Sequence, residues 1–387
     1  MENKSLKILI MAIGCHYSHI TRFVTNLKRT NPNAELVLFT GHKEEELAPE
    51  LFDSLSEIIY RKKSDSKGRL GSIKNFWVWI NQFNNLSKNK RFDIVNVHFP
   101  ILLYAPIMPF VKRMAKKVVA SPWGSDILRV NGRRFKLLCK WVVGKCDYVT
   151  VAETSKMGAK INSVLKKPEQ FFYPLEWGSE TIDFICGTDK KIDTKEAKAA
   201  LGISDSYVIT CGYNAFPAQR HERMIEAIAE VKTKLPSDLT LLFPVTYGFD
   251  NRKEYVNTLK EKCKSLGLKA LFFEDYLPMP QLYNLRMATD MFIHIQPTDV
   301  GASSIQEYIL CRKKIIHGTW ISYPHLEKYN PLFYYPVSEL SELGEVIVST
   351  FKAEPIEFSQ ELMEDIKGRG WNEKMKQWNN FFSSIIE

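Results

Sequence analysis

QPTDVGASSIQEYILCRKKII, residues 296–316, sets two carboxylates, Asp299 and Glu307, eight residues apart around a run of small polar residues. The stretch DMFIHIQPT (290–298) leads into it and KKIIHG (313–318) ends it, and both are apolar and of strand length. A strand, a Gly-Ser turn, a short helix and a second strand make one repeat of a parallel sheet covered by helices. A helix opening at such a turn leaves unpaired N–H groups and the positive end of its dipole at its start. Gly301, Ala302, Ser303 and Ser304 are small enough to let a diphosphate reach those amides. Glu307, one turn further in, is placed to accept hydrogen bonds from a ribose, and Asp299 to hold a sugar hydroxyl. The plainer alternative is that Ser303 and Ser304 only cap the helix and Glu307 is a solvated first-turn acid.

The same alternation extends in both directions. YVITCGYNAF (207–216), LTLLFPVTY (239–247) and the two strands above interleave with helical patterns at 220–235 and 254–268, the latter closed by Gly267. Earlier in the chain, LKILIMAI (6–13), AELVLFTG (34–41), FDIVNVHFP (92–100), KKVVASPWGSD (116–126) and CDYVTVAET (146–154) read as strands, with a helical pattern at 71–86. Two doubly wound α/β domains follow. The 387 residues supply two such units at about 150 residues each. The expected division is 1–180, then 200–367, then a terminal helix at 368–387. Residues 174–200 carry charge and turns with little periodicity, as a linker would. In the tail, Trp371, Met375, Trp378 and Phe382 recur at helical spacing and predict a helix packed back on the first domain.

Composition excludes several classes. With 45% apolar and 25% charged residues the chain is globular. The most apolar run, ILLYAPIMPFV (101–111), holds two prolines and is far short of the roughly 20 residues that span a bilayer. No secretory signal is legible at Met1–Ile13, and the seven cysteines have no paired spacing. A cytoplasmic protein with reduced thiols and no zinc site is expected. No GxGxxG follows the first strand, which argues against a dinucleotide dehydrogenase. No zinc-finger, RNP or recognition-helix pattern supports nucleic acid. The net charge of +9 is concentrated in part at Lys112–Lys145, where basic residues interleave with Phe110, Phe135 and Trp141. Such a surface suits an anionic membrane leaflet, and equally a solvated charged face beside a core.

Tandem Rossmann-like domains with these paired acids resemble the GT-B class of nucleotide-sugar glycosyltransferases, and in particular glycosyltransferase family 4. That family carries two acids at this spacing with glycine after the first. Here Asp299-Val300-Gly301 and Glu307 match, with aspartate at the first acid. The loop GYNAFPAQRHER (212–223) stands where family 4 has a Gly-Arg loop, with Tyr213 in place of the arginine. Its Asn214 and His221 are more similar to the transferase that adds 4-acetamido-4,6-dideoxygalactose in enterobacterial common antigen synthesis. The resemblance implies a cleft between the domains, with a UDP- or dTDP-linked donor on the second and a carbohydrate or lipid-linked acceptor on the first. It implies donor contacts from Gly212, Asn214, Gln219, Arg220 and His221 and from the 301–307 stretch, with Gly14 on the acceptor-side loop. The resemblance implies no cofactor and no metal, and the lack of a DxD run after a plausible strand agrees with the metal-independent habit of this fold class. Candidate catalytic groups are His16, His98, Asp126 and Asp299. In PWGSD (122–126) Trp123 replaces the histidine common in relatives, so that role passes to His98 or Asp126, a base needing a pKa near neutral. Family 4 implies retention at the anomeric carbon and the antigen transferase inversion. A nucleotide-sugar epimerase of the same fold class and a non-catalytic partner subunit are the competing readings.

Overall fold

The computed structural model describes residues 5–13, 17–63, 68–152, 156–189, 191–203, 206–299 and 303–387. The chain forms two compact units. One comprises residues 1–178 together with 371–387, and the other Ser179–Gly370.

The first unit is built on seven parallel strands: β1 (Lys7–Ala12), β2 (Glu35–Thr40), β3 (Glu57–Tyr60), β4 (Phe92–His98), β5 (Ala115–Ser121), β6 (Tyr148–Val151) and β7 (Phe172–Pro174). Their spatial order is β3-β2-β1-β4-β5-β6-β7, with Ile8 paired to both Leu36 and Ile94. Growth therefore runs one way from β1 to β3 and the other way from β4 to β7. Right-handed crossovers then place the helices of the two halves on opposite faces. The side chains agree. Leu9 and Met11 point into a core with Trp79 and Phe83 of the helix Gly68–Asn89, along with Ile107 and Leu138. Ile8 and Ile10 point into the other, with Phe23 and Val24 of the helix Tyr17–Thr30.

That second core is completed by the last helix, Trp371–Ser384. Its Trp371, Met375, Trp378, Phe381 and Phe382 are all buried there. Trp378 meets Phe23 edge-on at 4.9 Å between ring centroids, and its indole N–H donates to the Glu176 carbonyl at 3.0 Å. The chain re-enters this unit tightly. A Cβ on Gly178 would lie 2.5 Å from the Trp371 Cα, so no side chain fits at 178.

The second unit has six parallel strands: β8 (Tyr207–Cys211), β9 (Leu239–Pro244), β10 (Lys269–Phe273), β11 (Met291–His294), β12 (Lys314–Gly318) and β13 (Tyr335–Val337). The order is β10-β9-β8-β11-β12-β13, again with a single reversal, here between β8 and β11. The linker expected at 174–200 is corrected. Glu180–Gly187 and Thr194–Ala200 are helices of this unit. Ser179 caps the first by accepting from the Ile182 amide, and Asp193 with Glu196 forms a capping box on the second. These are short helices without a full period of apolar positions. The strands β3, β7 and β13 also escape periodicity, having three or four residues each at or near sheet edges.

Trp378→Ala should cost roughly 3–5 kcal/mol by opening a cavity in the second core of the first unit. The check is chemical denaturation of the purified variant beside wild type.

Candidate functional site

Loops at the carboxyl ends of parallel strands diverge where the strand order reverses, leaving a crevice there. Each unit has one such point, and most of the sequence-predicted residues that are described cluster at them.

In the second unit Gly212 follows β8 and Gln296 follows β11, the two strands at the reversal. Gly212 has φ +64°, and a Cβ there would lie 2.8 Å from both the Gln219 Oε1 and the His221 Nε2. Glycine is required for conformation and for space. Gln219 Nε2 donates to Gln296 Oε1 at 2.9 Å, and Gln296 Nε2 donates to the Tyr213 hydroxyl at 3.0 Å. The Trp320 indole donates to the Gln296 carbonyl at 2.7 Å and carries the Arg220 guanidinium 5.2 Å above its ring. Arg220 itself adopts φ +63°, an uncommon left-handed conformation for a residue with a Cβ. His221 is fully buried with Nδ1 3.2 Å from the Tyr255 hydroxyl. Burial lowers its pKa to about 3, so it is a neutral imidazole. Gln219 Oε1 and His221 Nε2, both buried, have no hydrogen-bond partner among the described residues.

Asp299 joins the same polar group from β11. The Tyr323 hydroxyl donates to its Oδ2 at 2.6 Å, and the His294 Nε2 lies 3.4 Å from that oxygen. His294 in turn meets His317, at the end of β12, at 3.0 Å between Nδ1 atoms. Burial first and then the neighbouring His294 lower the His317 pKa to about 3. Tyr213 stacks on His294, and desolvation followed by Asp299 raises its pKa well above the usual phenol range. It remains a neutral hydroxyl. Ser303 opens the helix Ser303–Leu310 exposed, and Ser304 is buried with an unpartnered Oγ among the described residues. Gly301 and Ala302 lie outside the described residues.

Two expectations are corrected here. Glu307 is neither solvated nor open to a ribose. It is 4% exposed, with Oε1 accepting from the Ser179 hydroxyl at 3.2 Å and Oε2 from the Arg286 Nε at 2.8 Å. Arg286 also donates to the Tyr308 hydroxyl, and burial, which opposes its charge, is outweighed by Tyr308 and Glu307, so its pKa is raised. This ion pair holds the interior of the unit together. Asn214 is likewise turned inward, its Oδ1 accepting from the Phe216 amide at 2.9 Å to shape its own loop.

In the first unit the reversal lies between β1 and β4, where His98 ends β4 and Phe99 follows with φ +51°. His98 is corrected as a general base. It is fully buried, edge-on to Phe23 and Trp177 at 4.6 and 5.4 Å and stacked towards Trp378. The Trp123 indole donates to its Nδ1 at 3.4 Å. Burial lowers its pKa to about 3, far from what a base at neutral pH needs. Asp126 behaves oppositely. Trp123 N and Gly124 N donate to its Oδ1 at 3.0 and 2.8 Å, yet burial outweighs them and raises the pKa to about 7. Its Oδ2 meets no partner among the described residues. The Lys160 ammonium fixes the loop that follows, donating to the carbonyls of Ile127, Leu128 and Val130 at 2.9–3.0 Å. Gly14 and His16 lie outside the described residues. Trp320, Tyr323 and Lys160 have no motif around them, and Gln296 opens the 296–316 stretch without a role assigned to it; only position after a strand or beside a loop would have marked them.

No protein-family model matches the sequence, and a search of curated proteins finds no match. Solved structures do match along nearly the whole chain. A glycosyltransferase from Rickettsia africae superposes with a TM-score of 0.72 at 14% identity, covering 99% of each chain. Anabaena HepE, solved with UDP and glucose, gives 0.72 at 14% identity over 98% of this chain and 100% of its own. The lipopolysaccharide outer core galactosyltransferase WaaB gives 0.65 at 11% over 98% and 100%. The fold is GT-B. Within it, the two reversal points are the β8/β11 crevice of the second unit and the β1/β4 crevice of the first.

Glu307→Ala, which strands the buried Arg286, should cost about 3–5 kcal/mol of stability, measured by denaturant unfolding. Asp126 gives a pH signature. Below the unfolded value of 3.8 both states hold the proton and burial carries no ionisation penalty. Above it the unfolded chain releases the proton first, so stability falls with rising pH until the native group ionises near 7. Between pH 4 and 8 the wild type should lose roughly 2–4 kcal/mol relative to Asp126→Asn, whose amide oxygen keeps the two backbone bonds.

Proposed function

We propose that the protein is a glycosyltransferase that moves a sugar from a nucleotide-diphosphate donor to a carbohydrate or lipid-linked glycan acceptor, of the kind used to build bacterial surface polysaccharide. The observation that carries this reading is the β8/β11 crevice. Neutral polar groups line it, a cation held on an aromatic ring stands beside it, and the Ser303 helix starts after the adjoining strand. HepE, of the same fold, was solved with UDP and glucose, which supports a nucleotide ligand.

In this reading Arg220 and the N-terminus of the Ser303 helix take up charge on the departing diphosphate. Gln219, Gln296 and His221 orient the donor by hydrogen bonds without adding charge. Asp299, fixed by Tyr323 and His294, faces the sugar. The first unit receives the acceptor, and Asp126 takes the proton from its hydroxyl, its pKa of about 7 being suited to a base at neutral pH. No step of this scheme uses a metal ion. UDP- and dTDP-linked sugars share the diphosphate, so the base and the sugar are to be found by screening.

A thermal-shift screen of nucleotide-diphosphate sugars is the direct test. A donor at a hundred times its Kd should stabilise the protein by about 2.7 kcal/mol, a readily measured rise in Tm. Arg220→Ala should weaken that donor by roughly 1–3 kcal/mol in calorimetry, as loss of a charge-assisted contact does. Turnover should persist in EDTA. A protein that shifts with none of the donors, under conditions where it is folded, does not have this function.

A further inference from the structure

The basic residues of this chain are not spread evenly. Residues 68–145 contain fifteen Lys and Arg against two acids, Asp93 and Asp126, while the whole chain carries an excess of only nine. The remainder of the protein is therefore net acidic. Of the two acids, Asp126 is buried and Asp93 pairs with Lys116 at 2.7 Å, so neither leaves a free negative charge in this stretch.

Topology gathers the stretch on one side of the first unit. The helices Gly68–Asn89, Met108–Met114 and Gly132–Trp141 all belong to the crossovers leading from β3 to β6 in one direction of sheet growth, so they cover the same face. The first two pack on each other, and the third packs on the turn Leu102–Ile107 that precedes the second. Their outer surface carries exposed Lys74, Arg113, Arg133, Arg134, Lys136 and Lys140. Among these charges stand large apolar side chains in solvent. Ile73 and Trp77 are 56% and 58% exposed, Phe76 46%, and Trp141 of the third helix 49%. Phe76 and Trp77 meet edge-on at 5.9 Å, and the Lys145 ammonium lies 6.0 Å from the Trp141 ring.

We infer that this helical face docks the protein onto an anionic lipid bilayer. Protruding aromatic and aliphatic side chains enter the headgroup boundary while the surrounding ammonium and guanidinium groups meet lipid phosphates. A second copy of the same face is disfavoured, because it would set like charge against like. Among the described residues no helix is long and apolar enough to cross a membrane. The inference uses nothing from the donor crevice and is tested without substrate.

The test is flotation of the full chain with vesicles of phosphatidylcholine alone and with phosphatidylglycerol added, at low and at high salt. Binding should require the anionic lipid and weaken with salt. Phe76→Ser with Trp77→Ser should weaken partitioning roughly tenfold by removing buried apolar area. Arg133→Glu with Arg134→Glu should weaken it roughly a hundredfold by reversing two charges. Both variants must keep the wild-type Tm and any donor-induced Tm shift, which separates this idea from the proposed reaction. The inference is overturned if wild type ignores phosphatidylglycerol vesicles, or binds heparin but no vesicle. It is equally overturned if the variants bind as wild type does, or if the face proves to be a dimer contact, with a concentration-dependent dimer in sedimentation that Phe76→Ser and Trp77→Ser dissolve.

Discussion

A parallel strand can be followed by its neighbour only if the chain crosses back over a face of the sheet, and that crossing is right-handed. Each sheet of this protein reverses its direction of growth once, at β1/β4 and at β8/β11. Much else follows from that constraint. Both faces must be covered, so strand residues are apolar on both sides. Leu9 and Met11 enter one core and Ile8 and Ile10 another. The loops must part where growth reverses, and in the second unit the polar side chains of Gln219 and Gln296 meet there. The uncommon backbone follows the same logic. Of the four non-glycine residues with positive φ among the described residues, Lys166 and Arg312 follow helix ends, while Phe99 and Arg220 sit in the loops at the two reversals.

Burial then decides what each polar group at those points is able to do. His98 and His221 are both fully buried, and both are held as neutral imidazoles with pKa values of about 3. His98 is ringed by Phe23, Trp177 and Trp378, which offer no charge. Asp126 is just as buried, but desolvation moves an acid upward where it moves a base downward. The same physical cause therefore removes one proton acceptor from neutral pH and brings the other to it. Glu307 is buried too, but it is paired with Arg286, and its role is internal cohesion.

The architecture was largely legible. Long apolar runs such as FDIVNVHFP and LTLLFPVTY mark buried parallel strands, and the spacing of helical patterns between them gives the two doubly wound units. Three- and four-residue strands carry too few positions for any period, and the helices at 180–200 are held by caps and packing rather than by an amphipathic stripe. The site was legible in part. Gly212, Gln219, Arg220 and His221 lie together after β8, in the loop that the sequence singles out, with Gln219 bonded to Gln296 after β11. Glu307 and Asn214 were misread because a motif fixes spacing along the chain and says nothing about which neighbour claims a side chain. Arg286 and Ser179, which claim Glu307, are distant in sequence. Gln296, the hub that Gln219, Tyr213 and Trp320 share, is invisible to spacing for the same reason.

Tyr213 stands where the resemblance to family 4 implies an arginine, and the two side chains differ in what they offer an anion. A guanidinium there would stabilise a diphosphate directly, since charge-assisted hydrogen bonds are about twice as strong as neutral ones. Tyr213 stays a neutral hydroxyl, and Gln296 and Gln219 are neutral amides. Their bonds are mutual, Gln219 to Gln296 and Gln296 to Tyr213, so the lining is prearranged without a ligand. Positive charge is displaced to Arg220, which the Trp320 ring and a left-handed backbone hold in place. A pocket of this kind gives up raw attraction for geometry. Under the proposed function, selectivity would come from these fixed donors, since a group that leaves the buried amides and the imidazole of His221 unpaired is disfavoured.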